Sequence, residues 1–575
     1  RVSQKRGMQM KSKKMLAQIA AFSLVFGMTG VVSSWADNTA DEVVVKGTTV
    51  EQYDPIKCVK VDNTLVDKAA DDSLSITGKD VRGIRLTDGA KLTANNVNFN
   101  DKGTSNEVTT ETGSTLIVNG GSITAPMRHF SADSGSTIST NGTTITTGAW
   151  ANNAAIKLKN STTSGNWLYA GNAFPENEDD KGDVAEGLPV GSITIDGGTA
   201  SVKNVLVQNK GQFNVTNGAV LDVTKDTSAT DSAWEQPATG IMKGNSDSDP
   251  INKLDQVSTL AVNGATVKAN KLTVEGKEAK ELNYSESAAF TAKNSTVELG
   301  SATLNSAKFY AENSQISIGD LYAENSQMSV KGDLNVSGME FSGGTFSADA
   351  LQVKADKEDK EDFQYIGFYD GAKAEVKEFS SGGVKGVILD INTSDDDISK
   401  GQGADVTIQK IALSNESAIQ LEKGSLHSDT VNLDKEALLF ANNGTKAEIQ
   451  KMTMDNGSCL YVGSYDDEDM VVKEAADVTV HQLNMKGNSN IAIENGQLNS
   501  DQITMDKSTI DIAGVGTLIA NKMTLNNTTL SLSGIQNKVA TLALDADEYI
   551  QPLDVTQNGV HVEVHDTLEI NGGTL

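Results

Sequence analysis

A phrase of twenty residues that rewrites itself is the strongest constraint on what this chain can fold into. Gln502-Ile503-Thr504-Met505-Asp506 realigns with Lys522-Met523-Thr524-Leu525-Asn526, and Leu483-Asn484-Met485 lies another twenty residues upstream. Ile411-Ala412-Leu413 and Val431-Asn432-Leu433 repeat the spacing. Each phrase places two apolar residues around one polar residue and then turns at a polar corner, as in Leu116-Ile117-Val118-Asn119-Gly120-Gly121 or Leu568-Glu569-Ile570-Asn571-Gly572-Gly573. Alternation of this kind marks strands with one buried face. A unit of about twenty residues is too short for helical repeats and accommodates three short strands with three corners.

Stacking such units pairs each strand with its equivalent, in parallel and in register, at about 4.8 Å per coil. The predicted fold is therefore all-β: a right-handed parallel β-helix of ~20-residue coils with looped insertions. The competing arrangement is a series of antiparallel hairpins, for which Asn-Gly is the strongest short signal. A spacing kept over so many repeats favours the coil, which would make on the order of 20 rungs and a rod of roughly 100 Å. A second echo, offset by 12, aligns Tyr310 to Ile318 with Tyr322 to Val330.

Composition suits this reading. There are 52 glycines for corners and only 7 prolines to interrupt strands. The net charge of −29 disfavours nucleic acid and anionic lipid as partners, since both are bound by clustered Lys and Arg. Cys58 and Cys459 lie far apart and have no metal-ligand spacing.

The N-terminus carries an export signal: Lys11, Lys13 and Lys14, then an uncharged apolar stretch from Met15 to Val32, then Ser34-Trp35-Ala36. Cleavage is expected between Ala36 and Asp37. Loss of residues 1–36 removes six cationic residues (Arg1, Lys5, Arg6, Lys11, Lys13, Lys14) and no anionic one, taking −29 to −35. The expected organisation is a signal peptide over 1–36, a cap with the first coils over 37–90, and a β-helix over 91–575. The chain reads as a fragment, opening on Arg1 instead of Met and closing inside a repeat. Insertions are expected at Phe174–Leu188, Asp226–Gln256, Asp356–Ser381, Thr393–Asp405 and Ser464–Asp477.

An export signal, a long Gly/Ser/Thr/Asn-rich region nearly free of cysteine, and strand-corner repeats together resemble the passengers of type V autotransporters, pertactin-like or like the diffuse-adherence adhesins. The resemblance covers nearly the whole chain, in architecture and composition and not in a diagnostic motif. It implies passage through the periplasm to the cell surface or outside, and a C-terminal translocator β-barrel in the outer membrane. No run of membrane-type strands precedes Leu575.

The search for chemistry yields no catalytic, cofactor-binding or metal residues. Ala132-Asp133-Ser134-Gly135-Ser136 is close to a serine-protease nucleophile motif, and His129 lies just upstream. A triad needs its base and carboxylate brought in from separate strands, so a corner is the better reading. His427, His481, His561 and His565 do not cluster in sequence, and His561 and His565 are spaced as on a strand. The acidic runs Glu178–Asp180, Asp395–Asp397 and Asp466–Asp469 lack the glycine-punctuated spacing of calcium loops. The one aromatic cluster, Phe363, Tyr365, Phe368 and Tyr369, falls in an expected insertion and is the candidate contact loop. The leading expectation is an adhesin or self-association scaffold. Its partner would be a host or bacterial surface protein or glycan, or another copy. The alternative is a secreted polysaccharide-processing β-helix with paired carboxylates; a protease built on Ser134 comes third.

Overall fold

The computed structural model describes residues 43–44, 58–62, 74–77, 80–81, 83–87, 89–100, 108–124, 129–165, 167–171, 189–208, 210–224, 240–243, 258–275, 289–355, 363–393, 402–463, 475–534, 539–540, 549–557 and 560–574. Among them the secondary structure is strand and turn, with no helix. The signal segment with Ala36 and Asp37 lies outside the described residues, as do most of 37–90 and most of the acidic insertions. The chain forms two compact units, Arg1–Ser295 and Thr296–Leu575.

In the first unit the coils are built of three short strands, two of which merge in Thr266–Glu275. Lys91–Asn95, Asn98–Asn100 and Val108–Thr110 make one turn, and Thr115–Asn119, Ser122–Thr124 and His129–Asp133 make the next. Equivalent strands pair in parallel, so Leu92, Leu116, Ile138, Ile156, Ile193, Phe213, Leu260 and Phe290 stand one above another. All eight are at most 3% exposed. A fully buried side chain of this kind contributes roughly 1.5–3 kcal/mol, and the parallel register makes that gain repeat with every coil.

The second unit uses the same geometry with longer strands. Asp405–Leu413 and Ser425–Leu433 each round a corner and keep the same register on both sides of it, and Ala418–Glu422 and Leu438–Asn442 complete the coils. The twenty-residue phrases are successive coils here: Ile411 pairs with Val431, Leu483 with Ile503 and Ile503 with Met523. The twelve-residue echo is something else. Tyr310 pairs with Ser329, whereas Tyr322 pairs with Thr303 and Glu340, so the two tyrosines occupy different sides of the coil. Among the described residues, antiparallel pairing is confined to the C-terminal end, where Tyr549–Gln557 folds back on Val560–Thr574 and Val539–Ala540 on Thr517–Gly534.

Two expected insertions contain coil strands. Gly240–Lys243 pairs with Asn204–Gln208 and with Thr266–Glu275, inside the segment read as 226–256. Gln364–Tyr369 and Lys373–Ser380 are strands inside the segment read as 356–381. Outward tyrosines and Gly367 blur the alternation there, although Ile366 and Phe368 are both fully buried.

Corners were expected to rest on Gly and Asn, and many do. Thr112, Ser134 and Lys210 in the first unit also take positive φ, as do Glu416, Lys435, Glu436 and Lys507 in the second, all between 50° and 65°. A buried small residue follows: Ser417, Ala437, Ser458, Ser489, Ser508 and Thr528 are at most 3% exposed. Ser417, Ser458 and Ser489 each donate their hydroxyl to the carbonyl three residues earlier, at 2.6, 2.6 and 2.7 Å. The bond satisfies a buried polar group and closes the turn.

Candidate functional site

The outward positions of one side of the second unit form a continuous register. Thr303, Tyr322, Glu340, Gly367, Asp390, Gln420, Phe440, Tyr461, Ala492, Asp511 and Ser531 follow one another from coil to coil. On one flank lie Ser301, Asp320 and Gly338, then Tyr365, Ile388, Ala418, Leu438 and Cys459. On the other lie Asn305, Glu324, Ser342 and Tyr369, then Glu422, Asn442, Gly463 and Glu494. None of these positions is Lys, Arg or His.

Aromatic and acidic groups are interleaved on this face. Tyr322, Tyr365 and Leu438 are 40%, 39% and 41% exposed, and Phe363 enters the face at 51%. Phe440 and Tyr461, in adjacent coils, stack with ring centroids 4.5 Å apart and planes 6° from parallel. The Tyr461 hydroxyl donates to Glu494 Oε2 at 3.4 Å. Tyr369 lies over Gly367, where a Cβ would come within 2.2 Å of its ring, and donates to Asp390 Oδ2 at 2.9 Å. Burial first, and Asp390 second, hold its phenol well above the usual range. Partial burial, then Asp370 and Glu324, push the Glu340 carboxyl above the ordinary carboxylate value. Tyr322 is raised by burial and then by Asp320 and Glu340.

The candidate contact residues thus divide. Phe363, Tyr365 and Tyr369 belong to this face, whereas Phe368 is fully buried, with ring centroids 5.4 Å from Phe346 and 6.4 Å from Phe341. The segment is a rung and not a loop, because Ile366 and Phe368 need the interior and draw their strand into register. Sequence reasoning missed Tyr322, Glu340, Asp390, Phe440 and Tyr461; their only signal is an outward position in each successive coil.

A second polar feature lies on another side of the same unit. Gln450, Lys451, His481, Gln482, Asp501, Gln502, Asn521, Lys522 and Asp566 line an open groove of about 610 Å³. His481 Nδ1 is 2.6 Å from Asp501 Oδ2, and Asn521 donates to Asp501 Oδ1 at 2.9 Å. His427 and His481, far apart in sequence, both approach the Glu448 carboxylate, at 3.6 and 3.8 Å. His561 and His565 bracket Glu563, each at 3.4 Å. The neighbouring hydroxyl of Ser500 faces inward, donating to the Val480 carbonyl at 2.6 Å. Among the described residues no group of three or more His, Cys, Asp or Glu side chains is placed to hold a metal ion.

The protease-like motif is a corner. Ser134 and Gly135 take φ of 50° and 80°, and the buried Ser136 hydroxyl accepts from the Asp133 amide and donates to the Thr110 carbonyl. No protein-family model, curated protein or solved structure matches this chain.

Proposed function

We propose that this chain is an exported, surface-displayed β-helical passenger that works by contact, as an adhesin or self-association scaffold. The observation that carries the reading is the sheet face of the second unit, where aromatic rings and carboxylates are set out in register over many coils. Such a face offers an extended, rigid surface whose side chains are positioned by backbone pairing, which lowers the ordering cost of binding. The export signal and the resemblance to autotransporter passengers supply the setting. Expression with its own leader in a Gram-negative host, followed by protease treatment of intact cells, tests display. Degradation of the chain together with cell adhesion or clumping is expected. A chain that stays protected in intact cells overturns the reading.

A polysaccharide-processing enzyme is the second reading, and one observation favours it: Glu340 has its carboxyl raised beside Asp370. A raised carboxyl can serve as a general acid. Polysaccharide cleavage that Glu340→Gln abolishes would put this reading first.

A further inference from the structure

We propose that the aromatic and acidic face of the second unit docks a lysine- or arginine-rich extended polypeptide. The first argument is charge complementarity. Glu324, Glu340, Glu422, Glu494 and Asp511 stand in registers in which no position is Lys, Arg or His. On a different side of the coil the charges are mixed: Lys373 and Lys446 share their register with the carboxylates of Asp405 and Asp477, whereas on the face itself the lysines Lys385 and Lys423 stand only at flanking corners. Segregation of charge by side is what a partner of opposite sign would require, and a second copy of a chain at −29 is disfavoured.

The second argument comes from the rings between the carboxylates. Tyr322 has Glu340 as its register partner, and the Tyr461 hydroxyl bonds Glu494. A guanidinium or ammonium laid on either ring finds a carboxylate beside it, which combines a cation–π contact with a charge-assisted hydrogen bond. Arginine gains more than lysine from this geometry, because its planar fork stacks and pairs together. A neutral glycan would use the rings but not the separation of charge. An extended peptide presents alternate side chains about 6.5–7 Å apart, within the reach of Lys and Arg arms from one coil to the next.

The proposal deepens the contact reading and rests on it only for its setting. Its test uses the purified full chain and fluorescent deca-arginine and deca-lysine peptides at 0.15 M salt, with deca-glutamate and a neutral glycan set as comparison probes. Wild type is expected to bind deca-arginine more tightly than deca-lysine, and deca-glutamate not at all. Combined neutralisation of the face (E324Q, E340Q, E494Q, D511N) is expected to weaken binding at least tenfold. An equal neutralisation on the other side (E375Q, D405N, E448Q, D477N) should change it less than twofold. Tyr322→Leu should erode the preference for arginine over lysine. Asp511→Lys, a single exposed change, repeats the test should the quadruple variant misfold. Equal losses from both quadruple variants, no binding by wild type, tighter binding of a neutral glycan, or self-association that peptide does not displace would each overturn the proposal. Display is read separately on intact cells, so either idea can fail alone.

Discussion

The Gly197-Gly198 corner of the first unit and the Asn456-Gly457 corner of the second turn the chain under different constraints, and both kinds of corner recur in each unit. Gly197-Gly198 and Gly120-Gly121, like Gly343-Gly344 of the second unit, take φ near 70°, and a Cβ on Gly198, Gly121 or Gly344 would lie 2.3, 2.1 or 2.1 Å from a carbonyl oxygen of the coil below. Conformation and space both demand glycine there. Asn456-Gly457, a corner between other sides of the coil, bends in open space: the nearest atom to a Cβ on Gly457 is Glu436 Cγ, at 3.5 Å, and a Cβ on Gly218 of the first unit would meet nothing within 4 Å. Only conformation is at stake, so Glu and Lys are tolerated at neighbouring corners. The lesson is that positive φ costs about 1–2 kcal/mol, which a packed coil sustains, whereas a backbone clash leaves nowhere to relax.

The largest effect that would break this comparison is Gly198→Ala, expected to destabilise by about 3 kcal/mol or more, since strain and overlap add. The same change at Gly457 should cost about 1 kcal/mol, read as a smaller fall in the denaturation midpoint. Equal losses would mean that space does not distinguish the two corners. Glu436→Gly should stabilise, by up to about 1 kcal/mol, because relief of the left-handed conformation outweighs the added chain entropy. Ser458→Ala should cost no more than about 1 kcal/mol, since it removes donor and volume together and Ala437 already fills the equivalent corner. A larger loss would make the serine bond, not its small size, the requirement.

The smallest effect concerns pH. The folded-state Glu340 carboxyl is raised, so the folded chain takes up its proton at higher pH than the unfolded chain does. Ionised Glu340 therefore opposes folding above its folded value, and that opposition fades as pH falls through it. Glu340→Gln should raise the melting temperature slightly at neutral pH, and the difference should close on acidification. A difference that widens on acidification would contradict the stated environment.

Much of the coil was legible because uninterrupted rungs keep their spacing: Leu483, Ile503 and Met523 are twenty apart and are paired. Legibility failed where a loop or an outward ring broke the rhythm. Phe368 was grouped with its exposed neighbours, although alternation with Ile366 marks both as interior. The Lys and Glu corners carry no local signal, because those residue types do not advertise positive φ. The acidic face was invisible for a geometric reason. Glu340, Asp390 and Asp511 share one column of outward positions, but variable insertions separate them, so no period in the sequence connects them.

The pairing of Met523 with Leu568 spans 45 residues, while Met523 pairs with Ile503 across only 20. Between Met523 and Leu568 the chain leaves the coil, makes an antiparallel excursion and returns in register. Length can thus be spliced in at a corner as a cassette, with the scaffold indifferent to its content. Such a molecule can vary what it shows to its surroundings at the rate loops mutate, while its interior stays under packing constraint. Grafted segments placed at the same corner would inherit that tolerance.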